Sequence, residues 1–190
     1  MSLIKGLWDR LAARSVRFAV LTVAFIGIVV GVLGTVTFNA ALEYTNTTEF
    51  CTSCHTMEWP AEEWRKSDHY MNASGKRIGC SDCHVPNEFF PKMVAKVRAS
   101  SDVWHQMMGT IDTREKYDAR REYLGEKVHD WMRRTDSRTC RACHEWTAMD
   151  LEAQSRRGRN QHEQAIESGE TCIECHTGVA HEPPEPDFGF

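Results

Sequence analysis

The chain has 190 residues, a formal net charge of −4 and 41% hydrophobic residues. That length allows one membrane segment plus one modest domain, and the mild acidity gives no basic patch of the kind nucleic acid requires. In chain order, the first element is Phe18 to Leu42, an uncharged run long enough for a hydrocarbon core that needs about 20 residues. It reads as a transmembrane helix. A cleaved signal peptide would have an apolar core of about 7 to 15 residues and a small-x-small site, and no good site of that kind precedes Glu43. Lys5, Arg10, Arg14 and Arg17 stand against Asp9 before the helix, while Glu43 and Glu49 follow it, which places the N-terminus in the cytoplasm. Residues 43–190 then form a domain outside the membrane. Gly27 and Gly31 have the spacing that lets membrane helices approach one another.

That domain carries all eight cysteines in four copies of Cys-x-x-Cys-His. They are Cys51-Cys54-His55, Cys80-Cys83-His84, Cys140-Cys143-His144 and Cys172-Cys175-His176. Two thiols three residues apart can each form a thioether to one porphyrin edge, and the following His can turn under the ring toward iron. Zinc sites and redox dithiols also use Cys-x-x-Cys, but neither needs a His after every pair. The motifs therefore predict four covalently attached haems c. "HYMNASGKRIGCSDCH" from His69 and "HEQAIESGETCIECH" from His162 each place a His, then Ser-Gly, then the haem motif, so the domain reads as a duplication with halves of about 44–110 and 111–181.

Between the motif pairs lie two helical patterns. Phe90, Val94, Val97, Ser101, Trp104 and Met108 recur at helical intervals, with Pro91 in the first turn, which predicts a helix over about 89–108. The second is expected over about 113–133, with Asp112 and Glu115 spaced as its cap and Tyr117, Leu124, Val128 and Trp131 on one side. No stretch alternates as a strand, and "HEPPEPDFGF" reads as an extended tail. The predicted fold is mostly α, one N-terminal transmembrane helix plus a small multihaem domain, with four macrocycles supplying the apolar surface that a chain of this size otherwise lacks.

Nine histidines are present. Four belong to the motifs, leaving His69, His105, His129, His162 and His181. His69 and His162 sit at matching places in the repeat and are candidate iron ligands opposite the motif residues His84, His144 and His176. His105 and His129 fall on the helices and read as surface or packing residues. Which distal His serves which haem stays open at this level.

With the single N-terminal helix and the four haem motifs, the strings "CTSCHTM", "VPNEFFPKMVAKVRASSDVW", "DTREKYDARREYL" and "TCIECHTGVAHEPP" carry a likeness over nearly the whole chain. On these the chain resembles the NapC/NirT family of membrane-anchored tetrahaem quinol dehydrogenases. Within the family it is most similar to the branch that feeds periplasmic nitrate reductase. The resemblance implies that His181 is a third distal ligand and that the thioether of Met57, rather than His55, binds the first iron. It also implies that Asp102 lies beside the first haem as a proton acceptor for quinol; helical spacing sets Lys96 about a third of a turn away, where it would orient the quinol oxygen. Ion pairing of Asp102 with Arg98 is the competing reading.

The function implied is oxidation of membrane quinol, menaquinol or ubiquinol, in the bacterial inner membrane, with electrons passed to a periplasmic reductase. Nitrate reductase with its small cytochrome subunit is the expected partner. The alternatives are donation to a nitrite or N-/S-oxide reductase, or a terminal reductase of a small oxyanion such as nitrite working at an open haem face.

Overall fold

The computed structural model describes residues 2–72 and 74–183, with side chains from Arg14 onward. The chain divides into two units between Thr45 and Asn46. The first is the single helix α1, Ser2–Tyr44. Within its stretch Arg14–Tyr44 the most apolar 18-residue window has a mean hydropathy of 2.5 and no buried side chain, as expected of a helix whose solvent is lipid. The helix runs past both ends of the predicted 18–42 span, because nothing in either flank breaks it: no Pro occurs before Pro60. The side chains of Lys5, Asp9 and Arg10 lie outside the described residues, as do residues 184–190 of the expected tail.

The second unit is helical, with no strand among the described residues. In order it contains α2 (Thr48–Cys51), α3 (Glu58–Trp64), α4 (Cys80–His84), α5 (Phe89–Met107), α6 (Arg114–Asp118), α7 (Arg121–Arg134), α8 (Arg138–Arg141), α9 (Arg156–Ser168) and α10 (Cys172–Cys175). The helix expected over 89–108 is α5. The one expected over 113–133 is broken into α6 and α7. Thr113, not Asp112, caps α6 by accepting from the Lys116 backbone N–H, and Asp112 instead pairs with the Lys116 ammonium at 2.6 Å. The break at Ala119–Arg120 sets two side chains against the first half of the domain. Tyr117 meets Trp59 at 5.2 Å between ring centroids, and Arg121 meets Glu63 at 2.6 Å. Tertiary contacts outweigh the local periodicity there.

Only Ala61, Trp64, Met132 and Ile173 among the described apolar residues are buried. Trp64 is held by its indole N–H, which donates to the Ile78 carbonyl at 2.8 Å, and by the edge of Tyr70. The turn from α7 to α8 passes through Asp136 and Ser137, both in the left-handed region at φ 53° and 46°, a conformation that costs non-glycine residues on the order of 1 kcal/mol. Ser137 offsets that cost. It is fully buried, its N–H donates to the Met132 carbonyl at 2.7 Å, and its Oγ accepts from the Ile173 N–H at 3.3 Å. This joint ties α7, α8 and α10 together and so sets the third motif beside the fourth.

The repeat has a backbone counterpart. Gly75 and Gly169, the glycines of the two Ser-Gly pairs, turn at φ 72° and 73°, a region that L side chains rarely enter. The flanking histidines differ: His162 lies on α9, whereas His69 lies in the loop after α3.

Candidate haem and quinol sites

Each Cys-x-x-Cys-His begins on a one-turn helix or is one: Cys51 ends α2, Cys80–His84 is α4, Cys140 lies in α8 and Cys172 opens α10. A helical turn sets the two thiols of a motif three residues apart on one face. Successive motifs adjoin. The Cys51 and Cys80 thiols share a hydrogen bond, which pulls Cys80 down to about 7. Cys83 feels Cys140 and Cys143 and is pushed up to about 11, mainly by burial. Cys140 in turn feels Cys172, after burial, as it too shifts upward. The attachment points therefore form an unbroken series from first to fourth.

Three motif histidines face a second imidazole. The ring centroids of His84 and His181 are 6.2 Å apart, those of His144 and His69 6.2 Å, and those of His176 and His162 6.0 Å. A metal–imidazole bond of about 2.0–2.1 Å, with about 1 Å more to the ring centre, puts two trans imidazoles roughly 6 Å apart across one ion. These residues could thus hold three irons between paired imidazoles. The remaining nitrogens fit: His162 Nδ1–H donates to Gln154 Oε1 at 2.6 Å and His69 Nδ1–H to the Val179 carbonyl at 3.3 Å, leaving both Nε2 atoms for a metal. Burial lowers His84 to about 4 and lowers His181 as well, so both rings are neutral, the form that binds iron. With so few buried apolar side chains, the domain also suits large apolar groups held between its helices.

The pairings cross the repeat. His69, from the first half, faces the third motif, and His181, from the end of the second half, faces the second; only His162 meets a motif of its own half. The second and third motifs lie side by side, α4 against α8.

The first motif is built differently. His55 Nε2–H donates to the Asp112 carbonyl at 2.9 Å, and the ring stands edge-on to Trp59. Its metal-binding nitrogen is spent on the backbone. Met57 closes the 3-10 turn His55–Met57 and is partly exposed. Thr56, between them, is buried and donates to Gln106 Oε1 at 2.6 Å, which joins this motif to the end of α5. Asp102 lies one helical turn before Gln106 and thus on the same face of α5. Lys96, on the same helix, acts electrostatically on Cys51.

Asp102 is surface-exposed, yet crowding of its carboxyl by protein raises its pKa from 3.8, with Lys127 and then His105 opposing. It makes no ion pair with Arg98 among the described residues, so the competing reading of this carboxylate has no geometric support. His105 and His129 bond locally, to Thr110 at 3.1 Å and beside Glu126 at 3.8 Å. Sequence reasoning missed the Asp112 carbonyl, Gln154, and the Glu63–Arg121 pair. The Asp112 carbonyl and the Glu63–Arg121 pair carry no local signal because their partners lie 57 and 58 residues away, and Gln154 meets His162 eight residues on, at a spacing that no helical or strand period marks.

An anchoring helix followed by a small helical domain with four haem-attachment motifs defines a membrane-anchored tetrahaem c-type cytochrome, an electron-transfer protein. The chain belongs to the family described as NapC/NirT cytochrome c family, N-terminal region, which matches residues 13–186. It is 49% identical to a tetraheme cytochrome-c type protein of Allochromatium vinosum over 93% of this chain and 96% of the relative. It is 44% identical to the denitrification system component NirT of Stutzerimonas stutzeri over 95% of this chain and 90% of that one. With the cytochrome c-type protein NapC of Escherichia coli K12 it shares 42% identity over 96% and 92%. No solved structure matches the chain.

Proposed function

We propose that this cytochrome oxidises membrane quinol at its first haem site and delivers the electrons to a periplasmic reductase, with periplasmic nitrate reductase and its small cytochrome subunit as the first candidate. The observation that carries the reading is the asymmetry of the sites. Three motif histidines face a second imidazole, whereas His55 is bonded to a carbonyl and faces none among the described residues. The N-terminus is cytoplasmic and the haem domain periplasmic, on the balance of basic and acidic flanks.

When bound, the four haems supply one-electron acceptance and release, which a two-electron donor such as quinol needs. The chain does the rest. His84 with His181, His144 with His69, and His176 with His162 would hold three irons, and Met57 would ligate the first, the site at which the donor is received. A thioether ligand raises the potential of a haem relative to a second imidazole. Quinol loses two protons with its two electrons. The Asp102 carboxylate takes one from the hydroxyl nearest it, and Lys96 holds the ring oxygen; the second proton goes to solvent. Asp102 suits the task because its raised pKa brings it nearer that of the proton it must accept.

The resemblance to the branch that feeds periplasmic nitrate reductase supports that partner, but the denitrification system component NirT is as similar to this chain as NapC is. Purified holoprotein, reduced by a quinol analogue and mixed with nitrate, nitrite or N-oxide reductases, tests the reading. Fast reduction by quinol and fast reoxidation only with a partner reductase is the expected result. Rapid nitrite turnover without a partner would establish the terminal-reductase alternative instead.

A further inference from the structure

Glu63 and Arg121 form a closely spaced ion pair with little exposure. Guanidinium Nη1 and Nη2 donate to Oε1 and Oε2 at 2.6 and 2.7 Å, and the side chains are 9% and 16% exposed for Glu63 and Arg121. Taking two charges out of water at such a place is costly, and a pair of this kind is weak support for stability by itself. What the pair does besides is grip residue 182. The Glu182 N–H donates to Glu63 Oε2 at 3.2 Å, and Arg121 Nη2 donates to the Glu182 carbonyl. Both backbone polar groups next to His181 are thereby held, by α3 from one side and the start of α7 from the other.

The ring of His181 completes the arrangement. Its Nδ1 is buried without a well-formed hydrogen bond; the Pro60 carbonyl acts on the imidazole, and the nearest carboxylate oxygen, Glu63 Oε2, stands 3.8 Å from Nδ1. A neutral imidazole that binds metal through Nε2 carries its proton on Nδ1 and needs an acceptor there. A shift of about 1 Å would bring Glu63 into a charge-assisted bond of about 2.7–2.9 Å.

We infer that Glu63 is a positioning residue for His181, the imidazole paired with His84, and that Arg121 holds Glu63 in that role. The inference rests on the assignment of His181 as a ligand. Glu63 orients the ring, fixes its tautomer and keeps the segment 181–183 in reach of the second haem; Arg121 aims the carboxylate and keeps it ionised. An ion pair that merely stapled α3 to α7 would serve equally well with its charges exchanged, whereas a ring-orienting carboxylate would not.

Four variants of the full-length holoprotein decide between these: Glu63→Gln, Glu63→Ala, the exchange Glu63→Arg with Arg121→Glu, and His181→Ala. The readouts are the number of haems that bind carbon monoxide when reduced, the low-spin signals, and the midpoint potential of each haem. Glu63→Ala and the exchange should each make one further haem react with carbon monoxide, on the order of 10-fold faster or more, and raise one midpoint potential. Glu63→Gln, which keeps an oxygen toward Nδ1, should change both less. Wild-type values in the exchange and in Glu63→Gln, with one low-spin signal lost in His181→Ala, would overturn the role of Glu63 alone. Unchanged low-spin signals in His181→Ala would overturn the ligand assignment beneath it. Should Glu63→Ala yield no holoprotein, the exchange and Glu63→Gln still decide.

Discussion

The first haem motif and the other three share the same five-residue spacing and differ in what the rest of the chain brings to them. His84, His144 and His176 each meet a second imidazole at 6.0–6.2 Å, supplied from a loop, a tail or α9. His55 meets the Asp112 carbonyl, and the neighbouring Thr56 is locked to Gln106 at the end of α5. A closed pair of imidazoles suits holding and passing single electrons; under the proposed function Met57 and Asp102 make the first site the one that receives them from a proton-bearing donor. The contrast teaches that a haem motif states only where a macrocycle is attached. Its role is set by the partner of the histidine that follows.

The strongest way to break the comparison is to remove a member of the closed set. Replacing Cys140 and Cys143 by Ala should abolish nearly all holoprotein, because the third motif lies between its neighbours and the domain has few buried apolar side chains of its own; intact mass and haem stain report it. Recovery of abundant protein with three haems would show that the sites assemble independently. Next, Asp102→Asn should leave haem content and dithionite reduction intact while slowing reduction by quinol on the order of 100-fold. Stopped-flow reduction measures this, and an unimpaired rate would remove Asp102 from the proton path.

Met57→His would replace the thioether at the first site by an imidazole. The first haem's midpoint potential should fall, with the other haems unchanged in a redox titration. If instead Met57→Leu leaves the first haem's spin state and potential as they were, Met57 only packs there. A smaller effect is expected from Gln154→Ala, which removes the acceptor of His162 Nδ1–H. Exogenous ligands should displace His162 about 10-fold more readily, while the site shared by His69 and His144 stays as it is.

The subtlest distinction is by pH. Crowding raises the Asp102 pKa above 3.8, while Lys127 and then His105 oppose. Only the ionised carboxylate can accept a proton, so quinol oxidation should decline as pH falls through that raised value, at a pH where an ordinary carboxylate is still charged. The sign for stability is the reverse: the ionised form is the one penalised in the fold, so the penalty is present above the folded pKa and is relieved on acidification. Asp102→Asn should flatten the acid limb of the rate profile, and an unaltered limb would assign it to another group.

Spacing along the chain determined much of this protein. The anchor, the four attachment motifs, the helix α5 and the matched glycines of the repeat all depend on neighbours within a few residues, where periodicity and backbone sterics act directly. His69, His162 and His181 were visible as candidates for the same reason: each sits at a recurring distance from a motif or in a string that resembles the family. Which motif each one faces was decided elsewhere. In the fold His69 meets His144 and the segment after α10 brings His181 back to His84, while α4 lies against α8. Only folding brought the Asp112 carbonyl to His55, broke the helix at Ala119–Arg120 to send Arg121 to Glu63, and set Gln106 on Thr56. These joins link residues 50 to 58 positions apart, and over such separations the choice of partner depends on packing and on the pairing of buried polar groups, which no local pattern encodes.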